Sequence, residues 1–160
     1  MAMNILRFIL LVLLALLVGS MFGILIGYNP VSLSAPAYVE QHQNAVRSLN
    51  TLFPAMGAIC IALIVILAFR SGGQRQVRYL LLAAAFLLLV AALVARFGNQ
   101  PINAIVMTWS THVQAANWEQ LRDQWWQWHI VRTVAAILAF AFVVVAVLSK
   151  SKGAGDEHAV

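Results

Sequence analysis

Four long apolar runs, near residues 5–28, 53–69, 79–97 and 130–149, decide what this chain can become. Each is close to the ~20 apolar residues that a helix needs to cross the hydrocarbon core of a bilayer. Charged residues make up only 9% of the 160 residues and hydrophobic ones 62%, a balance that no water-soluble domain of this size could keep off its surface. The runs are continuous rather than alternating, and far longer than barrel strands, which excludes a transmembrane β-barrel. The expected fold is therefore an all-α membrane protein. It is a single four-transmembrane-helix bundle over residues 1–149, with extended, extramembrane starts to helices 2 and 4 and a short disordered tail at 150–160.

The first run has a rival reading as a secretory signal, with Arg7 ahead of it and Ser34-Ala35-Pro36-Ala37 as a small-residue cleavage site. The run exceeds the ~7–15 residues of a signal core, which favours a retained first helix. The net charge of +5 does not point to nucleic acid, because the basic residues sit beside the membrane crossings. Arg70, Arg75 and Arg78 crowd the second loop, Lys150 and Lys152 follow the last run, and the other loops are nearly balanced. By the positive-inside rule both termini and loop two face the cytoplasm, as in a bacterial inner membrane protein. The single Cys60 excludes an intrachain disulfide and a cysteine metal cluster.

Turn signals divide the chain further. Gly19-x-x-x-Gly23-x-x-x-Gly27 is a small-residue pattern for close helix packing in lipid, and Tyr28-Asn29-Pro30 ends helix 1. Ser34 and Pro36 start helix 2, which is expected to run through Tyr38, His42 and Val46 into the membrane with a bend at Pro54. Ser71-Gly72-Gly73 forms the next turn, and helix 3 is expected to end at Phe97-Gly98 with glycine left-handed. Asn99 then caps, and Pro101 opens, a short surface helix through Ala104–Trp109. Asn117 and Gln120 form a capping box for the last helix. That helix has ~32 residues and a length of about 48 Å, so its first turns project beyond the hydrocarbon.

Those first turns hold most of the polar chemistry. Trp118, Arg122, Trp125, His129 and Arg132 recur at spacings of four, three, four and three and share one helix face. Arg132, a turn inside the apolar run, is costly unless it is hydrated, snorkels or finds a partner; Glu40, Asp123, Asn99 and Asn103 are the partners on offer. Arg122 lies farther out, as a pairing or surface residue. His129 can serve as base, hydrogen-bond donor or metal ligand. A bound metal ion is left open, with His42 and His129 as its first candidates and His112, Glu40 and Asp123 as further ones, although no local metal motif is present. Trp126 and Trp128 fit an aromatic belt. Trp118 and Trp125 suit a pocket wall that stacks on a flat molecule or attracts a cation, and Trp109 and His112 could lid it. His158 belongs to the tail. Phosphate-loop, dinucleotide-binding and serine-hydrolase motifs are all missing.

The combination of Asn99-Gln100-Pro101-Ile102-Asn103, Trp118 and Arg122-x-x-Trp125-x-x-x-His129-x-x-Arg132-Thr133 resembles the DUF1772 family of anthrone oxygenase-like membrane proteins. That family carries an Asn-x-Pro-x-Asn element after helix 3 and a Trp-rich, Arg-containing start of helix 4 that ends in Asn-x-x-Arg. This chain has His129 where asparagine is common, and the likeness touches Gln43. The resemblance implies a small membrane oxygenase that oxidises an electron-rich lipophilic anthrone with dioxygen to a quinone, without an organic cofactor. In that reading His129 is the base, Arg132, Asn99 and Asn103 are the donors to the oxyanion, and Trp118, Arg122, Trp125 and Gln43 bind substrate. The second hypothesis is a non-catalytic membrane module that binds a lipid, quinone or partner subunit with the same residues, alone or as a homo-oligomer. A transporter is a third and weaker one, since no inverted repeat is visible.

Overall fold

Each apolar run folds as a helix in the computed structural model, which describes residues 2–110 and 115–155, with side chains through residue 149. Helix α1 spans Ala2–Gly27, and a 3-10 turn at Pro30–Ser32 leads to α2 at Ala35–Leu49. Helices α3 (Leu52–Phe69) and α4 (Arg75–Val94) form the next hairpin. A π-helical turn at Ala95–Asn99 carries α4 into α5 (Gln100–Val106), and α6 runs from Trp118 to Gly155. Four stretches, those of α1, α3, α4 through α5, and α6, are long and apolar enough to cross a membrane. The chain is thus an integral membrane protein of four spans, and no extended strand occurs among the described residues.

The spans form a ring in which α1 packs on α3 and α6, while α4 packs on α3 and most heavily on α6. The reason is legible in α6, whose buried positions His129, Thr133, Ala136, Ala139, Val143 and Ala146 keep three- and four-residue spacing. Small side chains along most of that stripe let the backbone of α4 approach closely. Leu10, Leu14, Leu17 and Met21 of α1 and Leu81, Ala84 and Leu88 of α4 complete the same core. The outer faces carry exposed Phe8, Phe86 and Phe97, as lipid-facing surfaces do. Met3 and Arg7 meet Leu67, Val77, Ala146 and Val147 around one small void, so the chain start, the 70–75 turn and the far end of α6 share one end of the bundle. A second core of Tyr38, Val39, Ile102 and Val106 caps the opposite end.

Several local expectations are corrected. Helix 2 does not run on into the membrane with a bend at Pro54: the chain turns at Asn50–Thr51, and Pro54 is the third residue of a new helix. A continuous helix would drive the Pro54 ring into the Asn50 carbonyl, whereas in a first turn the missing N–H costs nothing. Helix 3 does not end at Phe97-Gly98 either; its backbone widens into the π turn, where the Gln100 N–H reaches the Ala95 carbonyl. The wide turn gives the Pro101 ring room that a regular helix would deny it. The Asn99 side chain makes no capping bond. The left-handed glycine is Gly72, with φ of 64°. Finally, Gly19 and Gly27 face outward, and a Cβ at Gly19, Gly23 or Gly27 would meet nothing within 4 Å, so this glycine row does not pack helices within the chain. Helix α6 continues past the expected limit of 149 to Gly155, while residues 156–160, with His158, lie outside the described residues.

Gly98 has a different duty from the expected one. A Cβ placed there would stand 2.6 Å from Cγ of Trp128, at the root of the indole where the ring has least freedom to swing away. Gly98→Ala is expected to lower stability by about 1–3 kcal/mol through overpacking. Thermal melting in detergent checks this, with Gly98→Ala combined with Trp128→Ala recovering most of the loss; an unchanged melting temperature for the single variant would refute the contact.

Candidate functional site

A cavity of about 990 Å³ lies at the Trp118 end of the bundle, between α1, α3, α4 and α6 and beneath α2. Ala58 of α3 and Ala92 of α4 line it and are exposed. Helix α2 forms the lid because one face is apolar, with Tyr38, Val39 and His42 buried. Gln43 fastens this lid. Its Nε2 donates to the carbonyls of Val106 (3.0 Å), at the end of α5, and Trp109 (2.8 Å), just beyond it. Gln43 is thereby turned away from the cavity, and the polar residues that α2 contributes to the wall are Tyr38, Glu40, Gln41, His42, Asn44 and Ser48.

Asn103 is the junction of the roof. Its Oδ1 receives Nε1–H of Trp125 at 2.8 Å and stands 3.1 Å from Nε2 of His42. An indole can only donate, so the amide oxygen is fixed in place as an acceptor. Nε2 of His42 must then carry hydrogen as well, which leaves Nδ1 as the basic atom of a neutral imidazole. Burial lowers the His42 pKa from 6.5 to about 4, with the hydrogen bond to Asn103 opposing the shift. The ring also meets Trp125 edge-on at 4.9 Å and Tyr38 at 5.2 Å. Burial raises the Tyr38 phenol well above its usual value, Arg122 partly offsets this and Asp123 adds to it, and the Tyr38 hydroxyl has no hydrogen-bond partner.

Arg132 and His129 form a second unit at the inner edge of the roof. The guanidinium donates to Nδ1 of His129 from Nε (3.3 Å) and Nη2 (3.0 Å), while the other ring nitrogen, Nε2, stands 3.2 Å from the Met21 carbonyl on α1. With Nδ1 accepting, Nε2 is the protonated atom and donates to Met21. Trp125 and Trp126, one turn earlier, stack on the imidazole at 5.3 and 5.5 Å. His129 is 0% exposed, with both nitrogens in use, and it does not line the cavity. Arg132 does line it. None of the partners expected for Arg132 binds it: Asn103 is held by Trp125 and His42, Asn99 Nδ2 donates to the Trp125 carbonyl at 3.0 Å, and Asp123 pairs with Arg122 at 2.9 Å. That pair is the one salt bridge among the described residues, so an arginine at membrane depth faces the cavity with no carboxylate against it.

The remaining predicted residues divide between wall and frame. Asn99 lines the cavity at 1% exposure, and its Oδ1 has no hydrogen-bond partner. Trp118 packs on Tyr38 at 6.0 Å beneath Arg122, whose guanidinium lies 4.9 Å from the indole centroid; neither reaches the cavity. Trp126, expected in a belt, instead clamps His129. No group of three metal-ligating residues occurs among the described residues, and His112 lies outside them. In the sequence His42 stands out only as a candidate metal ligand; the Tyr38-x-x-x-His42 spacing on an amphipathic helix is the available sign of a buried pair. The Met21 carbonyl had no sign at all.

The anthrone oxygenase family model matches residues 43–142, well over half of the chain. The match begins one residue after His42 and includes Asn99, Asn103, Trp125, His129 and Arg132. No curated protein and no solved structure matches the chain.

Proposed function

Starting from the fact that the chain belongs to the anthrone oxygenase family, we propose that it is a membrane oxidoreductase that uses dioxygen to convert a lipophilic anthrone to a quinone. The observation that carries this reading is the unpaired Arg132 on the wall of a large cavity whose roof also holds a neutral histidine. A lone arginine at this depth is most stable when it faces an anion, and the enolate of an aromatic ketone is one.

The substrate enters from the bilayer. Nδ1 of His42 takes a proton from the methylene carbon between the rings, and the electron pair moves to the carbonyl oxygen, where the Arg132 guanidinium holds the developing charge. The electron-rich carbon then reduces dioxygen, and the carbon-bound peroxide takes the proton back from His42 Nδ1 to become a hydroperoxide. Loss of the second methylene hydrogen breaks the O–O bond, one oxygen stays as the new carbonyl, and the other leaves as water. One anthrone and one dioxygen thus yield one quinone and one water.

This assignment moves the base from His129 to His42. His129 has no free lone pair, so its part is to aim Arg132, with the Met21 carbonyl fixing its tautomer. Trp125 and Asn103 do the same for His42. The basic 70–78 turn lies at the opposite end of the bundle, so the site faces the outer side of the membrane if that turn is cytoplasmic. Gln43, Trp118 and Arg122 support the lid and roof from behind.

In detergent or nanodiscs, the purified protein is expected to speed conversion of unsubstituted anthrone to anthraquinone with one dioxygen consumed per anthrone. Oxygen-electrode and absorbance traces measure both quantities. A rate equal to that of nanodiscs without protein, with an anthrone that demonstrably binds, would refute the oxygenase reading.

A further inference from the structure

The cavity wall carries a second arginine. Arg96, in the π turn, lines the same cavity as Arg132 and lies within the stretch Arg75–Val106 that is apolar enough to cross the membrane. No hydrogen bond or ion pair holds its guanidinium among the described residues, and the Phe97 ring lies 5.9 Å away. Helices α4 and α6 run antiparallel: Val77 and Ala146 meet around one void, while at the other end Asn99 meets Trp125 and Gly98 lies against Trp128. Arg96 therefore stands at about the level of His129, roughly one turn or ~5 Å outward of Arg132. Axes of packed helices lie ~8–10 Å apart, so a fused aromatic skeleton can reach from one arginine to the other. The small Ala92 and Ala95 leave the space beside Arg96 open.

The two cations are not equivalent. Arg132 spends Nε and Nη2 on Nδ1 of His129, and what remains of its fork suits a single oxygen, such as the carbonyl of a reacting ring. Arg96 keeps its whole fork, whose two parallel N–H donors match a carboxylate. The chain does not supply one. Glu40 is the acidic residue of the cavity wall, but it sits ten residues, ~15 Å, along α2 from Asn50. Asn50 is the residue that accepts from Gln100 at 2.6 Å, one turn beyond Arg96. Two uncompensated guanidinium groups on one cavity at membrane level are costly until an anion joins them. We propose that Arg96 is a specificity-determining residue, and that the ligand is a fused aromatic ketone with a carboxylate on an outer ring, the ketone at Arg132 and the carboxylate at Arg96. The inference rests on reading the Arg132 end as the reacting end. A neutral anthrone fills that end and leaves Arg96 unanswered, so Arg96 selects among anthrones and takes no part in their oxidation.

Anthraquinone-2-carboxylate, an unreactive product analogue, tests this through quenching of tryptophan fluorescence in phosphatidylcholine nanodiscs, with each affinity referred to empty discs of the same lipid. It is expected to bind about 10- to 100-fold tighter than unsubstituted anthraquinone, the usual range for hydrogen bonds to a charged group. Its methyl ester, of similar shape but without the charge, is expected to lose that advantage. Arg96→Gln is expected to abolish the preference for acid over ester, and Arg96→Lys to keep part of it, since lysine retains the charge without the fork. Should Arg96→Gln fail to fold, the acid and ester on the unaltered protein decide alone. Equal affinity for acid and ester, or a preference that survives in Arg96→Gln, would overturn the proposal. So would a preference that vanishes when the discs contain phosphatidylglycerol, because Arg96 would then be holding a lipid phosphate. No turnover is read: a carboxylate preference can stand in a protein that oxidises nothing, and unsubstituted anthrone can be oxidised without one.

Discussion

Replacing Arg132 with glutamine is expected to reduce kcat for anthrone oxidation by about 10²–10³, the usual cost of removing one donor from a developing oxyanion. The folded protein should survive the change unharmed. In most proteins the loss of a buried arginine strands a carboxylate; here none stands within ion-pair distance among the described residues, so nothing is left charged and alone. Glutamine also spares the cost of holding a full charge at membrane depth. The thermal melting temperature is accordingly expected to stay level or rise while turnover collapses. Arg132→Lys should fall between, because lysine keeps the charge but not the planar fork that Nδ1 of His129 aligns. A variant that melts markedly earlier yet retains full turnover would show that Arg132 is part of the frame rather than of the reaction.

His42→Gln is expected to slow turnover by about 10²–10⁴, the range for loss of a general base. Glutamine can still donate to Asn103, so the roof keeps its shape and the missing function is the basic nitrogen. The pH profile of the unaltered protein gives an independent check. With the His42 pKa lowered by burial to about 4, the imidazole is neutral and competent through the physiological range, and activity should fall only as pH drops toward that value. Stability responds over a different window. The folded pKa lies below the ordinary 6.5, so the unfolded chain takes up the proton first: the contribution is complete above about 6.5 and is lost as pH falls from there toward 4. An acid limb for kcat near 6.5, or a flat melting temperature across that window, would remove His42 from the role.

The architecture was readable from sequence because one constraint dominates it. A chain this apolar must satisfy its backbone within helices, and four runs of spanning length leave few arrangements. The stripe from Trp118 to Arg132 was equally visible, since helical periodicity puts its members on one face. What the stripe could not disclose was direction within that face. His129 and Arg132 are three residues apart, yet one is sealed between two indoles and the other looks into the cavity. The difference comes from α1, whose Met21 carbonyl pulls the imidazole inward, and a backbone carbonyl leaves no trace in a sequence. His42 was obscured for a related reason. Its tautomer follows from an asparagine 61 positions away that is itself fixed by a tryptophan. The break at Asn50 is hidden because Pro54 reads equally well as a bend, and the π turn at Ala95 is hidden because Gly98 reads as a helix end. In both places the chain uses proline to begin a new stretch of helix.

The π turn at Ala95–Asn99 gives one continuous rod two phases. Up to Ala91 the rod is keyed to its neighbours in the bundle; beyond the turn it is keyed to α2 and to the opening of α6. One residue in a regular helix corresponds to about 100° of rotation. A single residue inserted beyond the π turn, between 100 and 102, would therefore leave the intramembrane stripe in register and swing Asn103 away from His42 and Trp125. The span and the roof of the cavity are joined like a shaft and a coupling, and the angle between them is set by the length of five residues.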